Sequence, residues 1–132
     1  DLNGFKDVND KLGHEAGDAV LREVAERLEN AIREVDVAAR IGGDEFAVLL
    51  EEIGTEEHAL QATQRIPEIL KLPLSSAQGL PVSFSIGMAL HPTHGDSVAE
   101  LLAAADRAMY SAKRTGTGLI AVGSPIASEA EV

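Results

Sequence analysis

The chain has 132 residues, 45% of them hydrophobic and only 3% aromatic, so one domain is the natural count and Leu, Val, Ile and Ala must fill its core. Lys and Arg total 11 against 22 Asp and Glu, and the formal net charge of −11 disfavours any broad contact with nucleic acid phosphates or anionic lipid. The absence of cysteine excludes disulfides and thiolate zinc sites, and no stretch approaches the ~20 apolar residues of a membrane span. A soluble, intracellular domain is expected, with no membrane contact of its own, and a phosphate ligand would need a local cation or metal. The opening DLNGF contains no Met and no signal-like apolar run, so the natural chain is expected to extend upstream.

In chain order, Gly4 to Leu12 predicts a short helix with Phe5 and Val8 inward, ended by Gly13 as a C-terminal cap. Asp18 is expected to start the next helix, in which Val20, Leu21, Val24, Ala25, Leu28 and Ile32 recur at helical spacing opposite a charged face. ARIGGDEFAVLL, from Ala39 to Leu50, predicts a β-hairpin whose adjacent glycines, Gly42 and Gly43, supply the positive φ of a tight turn. The two consecutive carboxylates at its tip, Asp44 and Glu45, repel unless a divalent cation lies between them, and Mg²⁺ prefers such oxygen ligands. Thr55 is expected to cap a helix running to about Leu70, kinked or broken by Pro67. Leu72 to Leu80 reads as loop, and Val82, Phe84, Ile86 and Met88 alternate with Ser83, Ser85 and Gly87 as a strand with one buried face. After a turn at HPTHGD, Ser97 and Glu100 form a capping box for a helix that carries Leu101, Leu102, Ala105, Met109 and Ala112 and ends at Gly116. Leu119 to Val122 predicts a last strand, and residues 123–132 a tail or linker. This pattern argues for an α+β domain over residues 1–122, with helices packed on a mainly antiparallel sheet. Asp1 would end a mostly missing strand and could meet the Asp44 tip on a neighbouring one.

Three blocks, in order, carry a family resemblance. DLNGFKDVNDKLGHEAGD, IGGDEF and ADRAMYSAK resemble the GGDEF domain of diguanylate cyclases, which join two GTP molecules into cyclic di-GMP. The resemblance implies a nucleotide-cyclase or polymerase-palm-like (ferredoxin-like) fold with its N-terminal strand truncated. It also implies that Asp1, the backbone carbonyl of Leu2 and Asp44 hold two Mg²⁺ ions per GTP site, with Mn²⁺ as a substitute; on residue type alone Asp1 is a solvated terminus and Asp44 a turn aspartate. By the same resemblance Glu45 would be the general base for a ribose 3′-hydroxyl or, equally, a further metal ligand. Asn9 and Asp18 resemble a guanine-reading pair, a role that competes with a polar helix end and a helix N-cap. His14 would touch ribose or base unless it is an exposed loop residue, and Phe5 joins the substrate-binding set. Gly42 and Gly43 would let the backbone approach the phosphates. Lys6 and Lys113 resemble cations that neutralise charge in the transition state, or are solvated helix lysines.

Arg33 and Asp36 form R-x-x-D, similar to the family's inhibitory product site, with Arg65 as a second contact; the plain alternative is an ion pair at a helix end. One departure concerns catalysis: the family's arginine after the Lys113 block is replaced by Thr117, with Arg114 nearby on another helical face. The expected activity is therefore a homodimeric cytoplasmic diguanylate cyclase, taking GTP, inhibited by cyclic di-GMP and joined to upstream sensory or downstream effector domains. The alternative is a weak or inactive GGDEF domain that binds GTP or cyclic di-GMP and regulates an attached module such as a phosphodiesterase.

Overall fold

A computed structural model describes residues 1–51, 56–115 and 120–122. They divide into two compact units, Asp1–Phe84 and Ser85–Val132. Among the described residues no helix is long and apolar enough to cross a membrane.

In the first unit, strand β1 (Leu2–Asn3) leads into helix α1 (Phe5–Leu12) through Gly4. Gly4 lies at φ +90, and a Cβ there would stand 2.5 Å from the Pro81 carbonyl oxygen, so the chain can turn into α1 only at a residue without one. Val8 is fully buried, as expected of the inward face, whereas Phe5 is half-buried. Gly13 closes α1 by donating its N–H to the Asn9 carbonyl at 2.9 Å. Helix α2 (His14–Ala31) starts at once, four positions before the expected Asp18, which is exposed inside the helix and caps nothing at its start. The signal for the true start was obscured because Gly13 serves as cap to both helices, leaving no polar spacer between them.

The apolar stripe of α2, Val20, Leu21, Val24, Leu28 and Ala31, is buried with Leu2, Leu70, Leu74, Ala77 and Phe84. Strands β2 (Val37–Gly42) and β3 (Glu45–Leu49) form the expected hairpin, antiparallel, with a register shift between Arg40 and Gly42. Neither Gly42 nor Gly43 has positive φ, contrary to the reason first given for the pair. Helix α3 (Glu56–Leu70) runs through Pro67 without ending; the proline is buried in the last turn, where Lys71 N–H still reaches its carbonyl at 3.0 Å. Thr55 lies outside the described residues. The expected loop from 72 to 80 contains a 3₁₀ turn, Ser75–Ala77, and β4 (Ser83–Phe84) pairs antiparallel with β1.

The alternating segment is thus not one strand. It breaks at Ser85, which is buried rather than outward, and continues in the second unit as β5 (Ile86–Met88), parallel to β6 (Ile120–Val122). Helix α4 (Val98–Thr115) starts as expected, with the Glu100 N–H donating to Ser97 Oγ at 3.1 Å, although the Glu100 carboxylate accepts from Asp96 N–H rather than from Ser97. Its buried face is Ala104, Ala108 and Ala112, and Leu102 is exposed. The α4 backbone comes so close to β5 that a Cβ at Gly87 would stand 1.9 Å from the Ala105 carbonyl oxygen. Gly116, Leu119 and residues 123–132 lie outside the described residues. Among the described residues two of the three strand pairs are antiparallel, giving an α+β architecture.

Candidate functional site

The hairpin turn and the start of the chain meet through one backbone bond. Leu2 N–H donates to the Asp44 carbonyl at 3.1 Å, while Leu2 also pairs with Phe84 in β4. Asp1 and Asp44 are therefore on adjacent backbone segments, as the sequence suggested. Asp1 is half-buried with its Oδ1 atom out of solvent, and Asp44 and Glu45 are half-buried. This end supplies hard oxygen donors, namely the Asp1 and Asp44 carboxylates and the Leu2 carbonyl, which suit Mg²⁺ chemically. Among the described residues no three His, Asp or Glu side chains gather as a metal cluster.

A Cβ added at Gly43 would meet nothing within 4 Å, and one at Gly42 only the Glu45 side chain at 3.6 Å. Neither packing nor backbone conformation explains glycine at 43. The turn is braced by a residue that motif reasoning passed over. Arg40 Nε donates to the Gly42 and Gly43 carbonyls at 3.1 and 3.0 Å, and its only sequence signal was a cation two places before the glycines.

Below the turn, α2 and the hairpin enclose a cleft of about 450 Å³ lined by Asp18, Leu21 and Arg22 on the helix and Ala39, Arg40 and Phe46 on the strands. Asp18 thus shares a cleft with the arginine that braces the turn. Asn9, half-buried on α1, lies against Gly17, the residue before Asp18. Lys6 is exposed on α1, and His14 is exposed in the first turn of α2. Lys113 is exposed in the last turn of α4, in the second unit.

The GGDEF domain model, described as "Diguanylate cyclase, GGDEF domain", matches residues 1–118. The chain belongs to the GGDEF domain family. Among the relatives of this GGDEF domain, diguanylate cyclase TpbB of Pseudomonas aeruginosa is 47% identical over 120 residues, which are 89% of this chain and 28% of TpbB. The bifunctional diguanylate cyclase/cyclic di-GMP phosphodiesterase MucR of the same species is 44% identical over 116 residues, 88% of this chain and 17% of MucR. The crystal structure of the TpbB GGDEF domain superposes with a TM-score of 0.84 at 43% identity, covering 94% of this chain and 78% of that one. The chain thus spans well under a third of the length of these curated relatives.

In this GGDEF domain the R-x-x-D motif is tightly knit. Asp36 Oδ1 accepts from Arg33 Nη2 at 3.1 Å and from Glu51 N–H at 3.1 Å; Oδ2 accepts from Arg33 N–H at 2.9 Å and Arg33 Nε at 3.2 Å. The Asp36 side chain is 1% exposed and that of Arg33 is 52% exposed. Arg33 also donates to the Glu51 carbonyl. The Arg33 side-chain bonds hold the Asp36 carboxyl below its usual range against the opposing effect of burial, with the Arg33 and Glu51 N–H groups and the guanidinium charge adding to the lowering. The motif clasps the end of α2 to the exit of the hairpin. Arg65 is exposed on α3.

Proposed function

We propose that this chain is the catalytic domain of a diguanylate cyclase, acting in pairs in the cytoplasm, each copy presenting one GTP to the other. The observation that carries this is the Leu2 N–H to Asp44 carbonyl bond of 3.1 Å, which brings the start of β1 to the GGDEF turn. Asp1, the Leu2 carbonyl and Asp44 would hold Mg²⁺, and when bound the ion neutralises triphosphate charge that a chain of net charge −11 would repel. Asp18 accepts from the ring N–H and exocyclic amine of guanine, while the Asn9 amide donates to its acceptors. The open backbone at Gly43 admits the phosphates, and Lys6 adds a cation beside them. Glu45 takes the proton of one ribose 3′-hydroxyl as its oxygen attacks the α-phosphorus of the other GTP. A P–O3′ bond forms, the α–β bridging bond breaks and pyrophosphate leaves; repeated once, this gives cyclic di-GMP and two pyrophosphates.

At the R-x-x-D motif, both Asp36 oxygens are already engaged within the chain. Product binding there would fall to the outward Arg33 guanidinium, with Asp36 orienting it and Arg65 as a second cation. Asp44→Ala and Glu45→Ala, assayed with GTP and Mg²⁺ in a dimerised protein by chromatography for cyclic di-GMP, should each abolish product while circular dichroism stays unchanged. Full activity in both variants would overturn the assignment.

Thr117, standing where the family has arginine, favours a second reading: a domain that binds GTP or cyclic di-GMP and regulates an attached module. Nucleotide binding without any product in the same assay would select it.

A further inference from the structure

We propose that Gly17 is a specificity-positioning residue, holding the Asn9 carboxamide in the orientation that selects guanine. The inference rests on the assignment of Asn9 and Asp18 to the base. A Cβ built at Gly17 would lie 1.9 Å from Asn9 Oδ1 and 2.9 Å from its Cγ, but 3.4 Å from Nδ2. The amide therefore points its oxygen at α2 where that helix has no side chain, with its nitrogen farther out.

The backbone around this contact is tied on both sides. Gly13 N–H donates to the Asn9 carbonyl at 2.9 Å, and Gly17 N–H donates to the Gly13 carbonyl at 3.2 Å. With α1 and α2 joined by that chain of bonds, a methyl at position 17 would displace the Asn9 amide, which turns about its own torsions, sooner than it would part the helices. An outward nitrogen is a donor and suits the acceptor edge of guanine; adenine offers an amine at the corresponding position. Asp18 follows Gly17 directly, so one turn of α2 sets the acceptor for the base donors and seats the donor for its acceptors. At an ordinary interior helix position, Gly→Ala is stabilising. Here that gain is offset, because the methyl must first turn the Asn9 amide away.

The test measures GTP and ATP affinities by calorimetry in the presence of Mg²⁺, together with thermal melts, for Asn9→Ala, Gly17→Ala and the double variant. Asn9→Ala should lose the preference for GTP over ATP. Gly17→Ala should keep the fold and lose about tenfold of that preference, with ATP affinity unchanged. The double variant should be no less selective than Asn9→Ala and should melt no lower than Gly17→Ala, since the new methyl no longer meets an amide. A Gly17→Ala protein with wild-type selectivity, beside an Asn9→Ala protein that has lost it, would overturn the positioning role alone. Selectivity unchanged in Asn9→Ala would remove both this role and the base assignment beneath it. Should Gly17→Ala fail to fold, the double variant must recover the fold; if it too stays unfolded, Asn9 is not what the glycine accommodates and the proposal falls.

Discussion

Glu23 shows how one carboxylate on α2 organises a distant segment. It accepts from the N–H groups of Ser75 and Ser76 at 3.2 and 3.0 Å and from the Ser76 hydroxyl at 2.6 Å, with Arg27 Nη2 at 3.1 Å. Burial works to raise its pKa, but the Ser76 and Ser75 hydrogen bonds and the Arg27 charge outweigh it and lower the value from 4.5 to about 2. A folded-state pKa below the unfolded one stabilises the fold fully above pH 4.5, and that contribution is lost as pH falls from 4.5 toward about 2. Glu23→Gln should therefore destabilise the domain at neutral pH by about 1–3 kcal/mol and flatten its stability across that acid range, as followed by urea unfolding at stepped pH. If the slope persists in the variant, the acid sensitivity belongs to other carboxylates such as Asp36. Gly43 tests the opposite kind of residue. Because a Cβ there meets nothing and φ is not positive, Gly43→Ala should change stability by less than about 0.5 kcal/mol. The same change should weaken GTP binding measurably by calorimetry if the phosphates come against that backbone.

Elements were legible where the signal lies within a turn or two of chain. The α1 cap at Gly13, the α2 stripe and the hairpin pairing all follow from local sequence. The segment from Val82 to Met88 did not, because a period of two reveals a strand but not which partner it chooses; β4 goes to β1 and β5 to β6. Pro67 costs α3 the bond its N–H would have made to the carbonyl four residues back, yet the helix continues to Leu70 and Lys71 N–H still reaches the Pro67 carbonyl at 3.0 Å. The entry to α1 is doubly constrained, by backbone conformation and by space. Gly4→Ala faces both the φ of +90 and the Pro81 carbonyl at 2.5 Å, and should cost about 1–3 kcal/mol in a denaturant melt.

At the scale of the whole molecule, the proposed reaction needs two domains, since each supplies one GTP. Product formed per domain should rise with domain concentration in dilute solution and become independent of it when the domains are held as a dimer. A constant specific rate in the unlinked protein at all concentrations would mean that a single copy suffices. Thr117→Arg would add a planar fork of donors in place of one hydroxyl. It should raise turnover in an active enzyme, and tighten GTP without any cyclic di-GMP in a binding domain; chromatography of the products separates the two.

By itself the sequence determined the family and the α+β class, because motif blocks, glycine punctuation and apolar periodicity are all short-range patterns. The tertiary structure decided what those residues are free to do. Asp18 lies within α2 rather than at its start, Asp36 is committed to Arg33 and the Glu51 N–H, and the Asn9 amide rests on Gly17. Leu2 meets Asp44 across more than forty residues of chain. Each outcome depends on which groups distant in sequence compete for the same hydrogen bond or the same space, and a local pattern carries no record of that competition.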